Sequence, residues 1–221
     1  MFKEEINKIK KVTEFINSSD LKIITEDKNA VNKANYTKWV YRLKRWLYTL
    51  NKNSDSLKVA NALVNPSYIS LETVLSYNSI IPDSVTSYTS ISTKTTKSFQ
   101  NNYGAFYYYN LKDSLYFWYK YENGVFIAEK EKAILDYFYL KSRDLKLTLY
   151  DYNNIRKNKY TSIWCKNTFK WFKEERFENL EVLDFDKLFE YSKKFNKKVQ
   201  YTTLLLDLYY KEYEQKFREI V

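Results

Sequence analysis

Between residues 3 and 17, Ile6, Ile9, Val12 or Thr13, and Ile16 recur at helical spacing, with Lys and Glu on the opposite side. This spacing predicts an amphipathic helix. Ser18-Ser19-Asp20 then offers a stop and a fresh N-cap. Leu21 to Ile24 is long enough for one or two helical turns, and a second helix is expected from about Asn29 to Tyr36. Next, the runs 38–43 and 46–50 alternate between two faces, with Lys44-Arg45 between them, which reads as a basic-tipped hairpin. Trp39, Leu43 and Trp46 also fit a helical period, so one helix through Trp46 is the competing reading. The polar stretch from Asn51 to Asp55 is the candidate domain boundary.

Downstream, Leu57 to Leu63 reads as a short helix broken by Asn65-Pro66. Ser70 is the expected N-cap of a helix over 71–78, with Glu72 in its positive first turn. Residues 85–96 are β-prone, and Gly104 is expected to turn the chain into an aromatic strand. Asn123-Gly124, between apolar runs at 115–121 and 125–127, is the strongest hairpin signal. A helix over 129–140 should bury Ala133, Ile134, Leu135 and Phe138. Leu145 to Leu149 alternates like a strand. Asp186 is expected to cap a helix over 187–196, and a last helix is expected over 201–218. The fold class is therefore α+β. A small N-terminal winged-helix-like module, residues 1–52, precedes a mixed α+β domain, residues 56–221, whose C-terminal part is helical. With two Gly and two Pro in the chain, long flexible linkers are not expected.

Charge changes this picture most at the N-terminus. Residues 1–59 hold 13 Lys and Arg against 7 acidic residues, which is more than half of the chain's net +10. A compact, positive N-terminal part suits a polyanion such as DNA. A short helix set followed by a basic hairpin is also the layout of a winged helix-turn-helix, in which one helix enters the major groove and the wing touches phosphates. On that reading Lys28, Asn32 and Lys33 lie on or near the recognition helix. Lys38 follows it, and Arg42, Lys44 and Arg45 lie on the wing. The late Lys193, Lys194, Lys197 and Lys198 are read as a solvated helix end. The 23 Tyr are ascribed to AT-rich codons rather than to an aromatic binding surface.

The absence of histidine removes Ser–His–Asp and Cys–His catalysis and His-based metal sites. Two glycines cannot build a phosphate-binding loop. Asp184-Phe185-Asp186 would place two carboxylates on one strand face, the arrangement of a metal-dependent nucleotidyltransferase. The Gly-Ser element of such enzymes is missing, so an acidic helix cap before Lys187 is preferred. Asp136 and Asp151 have no partner carboxylate at motif spacing. The chain thus reads as non-enzymatic, without cofactor or metal. Cys165 has no cysteine to pair with and reads as buried filler in a reducing compartment. The charged N-terminus lacks a signal core, and no apolar run approaches the roughly 18–20 residues of a membrane span, so a cytoplasmic protein with no membrane partner is expected.

Several motifs, in order, resemble the AbiEi-type antitoxins of bacterial type IV, or abortive infection, toxin–antitoxin systems. Arg42-Leu43-Lys44-Arg45-Trp46-Leu47-Tyr48 is similar to that family's wing. The segment Ala60-Asn61-Ala62-Leu63, followed by Asn65-Pro66-Ser67-Tyr68-Ile69-Ser70-Leu71-Glu72, resembles its next motif. Tyr77, Ile81-Pro82, Thr93-Lys94-Thr95, Gly104-Ala105-Phe106 and the helix over 128–140 continue the likeness, and Phe185 to Leu188 with Lys193 to Asn196 resemble its late helix. Coverage is 40–140, and more loosely 180–215. The resemblance implies an N-terminal winged helix that binds double-stranded promoter DNA as an autorepressor. It also implies an antitoxin domain that neutralises a co-encoded nucleotidyltransferase-like toxin in a phage-defence or mobile-element system. Trp46 replaces the family's wing glycine, so a different wing turn is expected, and the segment from Asp20 to Arg42 is short for the family. The alternative is a protein-interaction module of a defence or phage accessory system, without DNA binding.

Overall fold

The structure, a computed structural model, describes residues 2–82, 86–141 and 163–218. The fold is α+β, and the described residues form two compact units. One holds Met1–Ile69, Thr86–Leu111 and Tyr121–Phe126. The other holds the described residues within 70–85, 112–120 and 127–221. The expected boundary at 51–55 falls inside the first unit, where residues 1–52 are joined by later stretches of chain. The strand expected at 145–149, and Asp151, lie outside the described residues.

In the first unit, α1 (Phe2–Lys10) buries Ile6 and Ile9. It does not run on to residue 17 as its spacing predicts. Backbone bonds from Lys11 to Lys8 and from Val12 to Ile9 close its last turn. The Thr13 hydroxyl then bonds the backbone of Phe15, and the chain extends as β1 (Phe15–Asn17). Val12 is left 87 % exposed, while Ile16 is buried from the strand. Ile16 is buried in either conformation, so spacing alone cannot choose between them. Pairing of β1 with a later strand supplies hydrogen bonds that a further helical turn would only replace.

Two short helices follow, α2 (Ser18–Thr25) and α3 (Ala30–Tyr36), then β2 (Tyr41–Lys44) and β3 (Leu47–Thr49). The strands form an antiparallel sheet in the order β1-β3-β2, with Ile16 opposite Tyr48 and Arg42 also opposite Tyr48. The hairpin reading of residues 38–50 therefore holds over the helical one. Ile6, Ile9, Ile16, Leu21, Ala30, Ala34, Val40, Tyr48 and Leu50 make a single apolar cluster beneath this sheet and its helices.

The same unit continues with α4 (Ser56–Leu63), whose N-cap Asp55 accepts the Leu57 N–H at 2.8 Å. Beyond it come β4 (Tyr68–Ile69), β5 (Ser87–Ser92), β6 (Lys97–Asn101) and β7 (Gly104–Asn110). Gly104, at φ +135, makes the tight turn between β6 and β7. The pair β8 (Tyr119–Glu122) and β9 (Val125–Ala128) is the predicted hairpin, and Asn123 and Gly124 both take positive φ, as a two-residue I′ turn requires. The larger sheet has the order β6-β7-β5-β4-β9-β8. The strand expected from Leu115 begins only at Tyr119, after a 3₁₀ turn over Asp113–Leu115.

The second unit is mainly helical: α5 (Glu72–Tyr77), α6 (Lys130–Lys141), α7 (Ile163–Glu174), α8 (Phe185–Ser192) and α9 (Lys197–Arg218). The predicted α6 buries Ala133, Ile134, Leu135 and Phe138, and also Glu131, Lys132 and Asp136. A helix buried nearly all round is an interior helix, not a surface one. Ser70 does not cap α5, whose N-cap is Leu71 at φ +57. The Ser70 hydroxyl instead donates to Asp136 at 2.9 Å. Nor is Asp186 a cap: α8 starts two residues earlier, with the Asp184 carboxylate accepting the Lys187 N–H at 3.0 Å. Cys165 is fully buried on α7. Among the described residues, no helix is long and apolar enough to cross a membrane.

Candidate nucleic-acid interface

Helices α2 and α3 are joined by four residues, Glu26 to Asn29. Glu26 takes the left-handed conformation at φ +50 and closes α2, its N–H reaching the Ile23 carbonyl at 3.3 Å. The Asp27 carboxylate then accepts the Asn29 N–H at 2.8 Å, a side-chain turn that launches α3. Ala30 and Ala34 are fully buried, and such small residues let α3 lie close against its neighbours. The opposite face is polar and open. Asn32, Lys33, Asn35 and Tyr36 are exposed, as are Lys28 before the helix and Lys38 after it. Lys33 makes a long ion pair with Asp27 at 3.9 Å.

The wing residues divide. Arg42 and Arg45 are exposed. The Lys44 ammonium, expected on the wing surface, instead turns into the first unit. It donates to the Leu63 carbonyl at the end of α4 and lies 5.7 Å over the Phe99 ring. Burial, followed by repulsion from Lys94 and Lys97, holds its pKa below the usual lysine range. The strand register explains the inward turn. Arg42 and Lys44 flank an irregularity in the β2–β3 pairing, so Lys44 stands opposite Leu47.

The wing turn is built on Trp46. Trp46 adopts φ +70, the left-handed conformation a glycine would supply. Two contacts hold it there: its carbonyl accepts the Ser18 N–H at 3.0 Å, and the Arg45 guanidinium lies 4.7 Å over its ring. The short stretch from Ser18 to Arg42 accommodates both helices, because α2 and α3 are only 8 and 7 residues long.

The carboxylates of the discarded metal reading do not converge. Asp184 is committed to its cap, and Asp186 sits two positions on, in the first turn of α8, on a different side of the helix. Among the described residues, no group of three His, Cys, Asp or Glu side chains is placed to hold a metal ion. The polar interior that sequence reasoning missed lies in the second unit. Lys132 and Asp136, both with fully buried side chains, pair one turn apart on α6, and the Lys132 ammonium lies over the rings of Phe117 and Phe195. Burial lowers the Lys132 pKa, and Asp136 opposes that shift. Nearby, Glu129 accepts from Lys187 and from the Tyr191 hydroxyl, both at 2.8 Å. Burial pushes Glu129 upward, but these two bonds outweigh it and hold the carboxyl below its usual value. Tyr191 is pushed up to about 12, by burial first and then by Glu129. The i, i+4 spacing of Lys132 and Asp136 was the available signal, but the same spacing also marks solvated pairs on a helix surface.

No protein-family model matches this chain, and no curated protein is significantly similar to it.

Proposed function

We propose that this chain is a cytoplasmic regulator of antitoxin type, which binds the duplex DNA of its own promoter and neutralises a co-encoded nucleotidyltransferase-like toxin. The observation that supports DNA binding is the element order α1-β1-α2-α3-β2-β3, with its sheet in the order β1-β3-β2. This order supports reading the segment as a winged helix, with α2 and α3 as the helix-turn-helix pair and the Arg45-Trp46 turn as the wing tip. On this reading α3 enters the major groove. Asn32 is suited to an adenine edge, while Lys28, Lys33, Lys38, Arg42 and Arg45 contact phosphates. The antitoxin role is supported by the motif resemblance over 40–140.

A second reading, an interaction module without DNA binding, is favoured by one observation. Lys44 faces inward, which leaves Arg45 as the cation of the wing turn.

Fluorescence anisotropy with the chain's own promoter duplex, titrated over salt, separates the two. The Lys33→Ala/Arg45→Ala double variant should lower the salt slope by roughly 2, about 1 per phosphate contact. An unchanged slope would reject this interface. Growth rescue on co-expression with the adjacent gene tests the antitoxin role independently.

A further inference from the structure

Strand β2 of the wing lies beside β6: the Asn101 side-chain amide donates to the Leu43 carbonyl at 3.1 Å. Along β6, Lys97, Phe99 and Asn101 share one face by the two-residue period of a strand. It is over this Phe99 that Lys44 rests. Lys94, in the turn before β6, donates to the Asn65 carbonyl, two residues beyond the Leu63 carbonyl that holds Lys44. Two ammonium groups are thereby gathered at the C-terminal end of α4, and Lys97 stands on the same face of β6 as the Phe99 over which Lys44 rests.

The charges around them do not balance. The carbonyl end of a helix carries about half an elementary negative charge. Three lysines bring three positive charges. No carboxylate lies within ion-pair distance of Lys44, Lys94 or Lys97 among the described residues. Lys94 and Lys97 are exposed, whereas Lys44 is half-buried, so an approaching anion meets the first two directly. Burial first, and repulsion from Lys94 and Lys97 after it, lowers the Lys44 pKa.

We propose that Lys94 and Lys97, backed by Lys44, form a second phosphate-contacting surface for duplex DNA, continuous with the wing strand and lying outside the helix-turn-helix. This rests on the DNA-binding reading above and extends its footprint from residues 28–45 to the 94–97 turn and β6. Inward-facing Lys44 then still serves the interface: it holds the strand edge and adds its field to the exposed pair. Phosphate contacts of this kind raise affinity on every sequence alike and carry no sequence information.

The experiment measures binding of the full chain to its promoter duplex and to an unrelated duplex across a salt series. Lys94→Ala, Lys97→Ala and Lys97→Glu are compared with the unaltered chain. Each alanine variant should lower the salt slope by about 1 and weaken both duplexes by the same several-fold factor. Lys97→Glu should weaken both further. Thermal unfolding of the Lys97 variants should stay unchanged, since the Lys97 side chain is exposed. An unaltered chain that binds DNA, with Lys97→Glu binding equally well at every salt, would overturn this proposal alone. A loss confined to the promoter duplex would also overturn it, since that marks base readout. An unaltered chain that binds neither duplex overturns the DNA-binding reading and this proposal with it.

Discussion

The long Lys33–Asp27 pair aside, the two units use lysine in different ways. In the first, Lys44 and Lys94 lean on backbone carbonyls, Arg45 lies on an indole, and Lys97 is open to solvent. In the second, cations meet carboxylates: Lys132 meets Asp136, Lys187 meets Glu129 and Glu131, Lys141 meets Glu72, and Lys211 meets Asp207. Carbonyls and rings orient an ammonium without neutralising it, so the first unit keeps its positive field outside, where a polyanion is reached. Carboxylates cancel that field, and the second unit uses its cations to hold helices together. Net charge read from sequence is the same currency in both units. Only the partner shows whether it serves binding or folding.

The largest test of this contrast is Asp136→Ala. It strands the Lys132 ammonium in a fully buried setting and removes the acceptor of Ser70. The expected loss is about 3–5 kcal/mol in urea unfolding. The double variant Lys132→Met/Asp136→Leu should recover most of it, because two apolar side chains of similar volume need no pairing. If Asp136→Ala unfolds at the same urea concentration as the unaltered chain, the pair does not hold the second unit and the contrast fails.

What was legible beforehand follows the same divide. Elements marked by local chemistry were readable: the Asn123-Gly124 turn, the α4 helix before Asn65-Pro66, and the hairpin around Arg45. Elements decided by distant partners were not. Residues 15–17 became a strand because β3, some thirty residues later, pairs with them. Ser70 turned from a helix cap to Asp136, 66 residues away. Asp186 lost the cap to Asp184 because the helix begins two residues earlier, where the Asp184 backbone N–H also reaches Glu131. The site divided likewise. Exposure of Lys28, Asn32, Lys33, Lys38, Arg42 and Arg45 follows from local helix and hairpin patterning. The inward turn of Lys44 and its gathering with Lys94 and Lys97 depend on β2 lying beside β6, which no spacing in the sequence encodes.

Lys44→Met is the matching test in the first unit. It removes a cation that no carboxylate balances and keeps an apolar side chain of similar length. The bond to the Leu63 carbonyl is lost, while repulsion from Lys94 and Lys97 is relieved. The two changes oppose each other, so stability should move by about 1 kcal/mol or less. DNA affinity should fall at the same time. A loss as large as that of Asp136→Ala would place Lys44 in the folding class with Lys132 and erase the distinction between the units.

The smallest effect is one of pH. Glu129 has a folded pKa below its unfolded value, so its contribution is present above about pH 4.3 and is lost as pH falls through the lower, folded value. Lys187 is raised, by its bond to Glu129 first, so its contribution is complete below about pH 10.4 and is lost only above that. The pair should therefore support the second unit evenly between these limits and fail on the acid side first. Both side chains are about one-third exposed, which limits the effect to about 0.5 kcal/mol. Urea midpoints taken at about pH 6 and about pH 3 should differ more for the unaltered chain than for Glu129→Gln, which has no carboxyl left to protonate. An identical pH dependence in the two proteins would show that Glu129 is not a matched partner in the folded state, and that the second unit's cations are less fully committed to carboxylates than their distances imply.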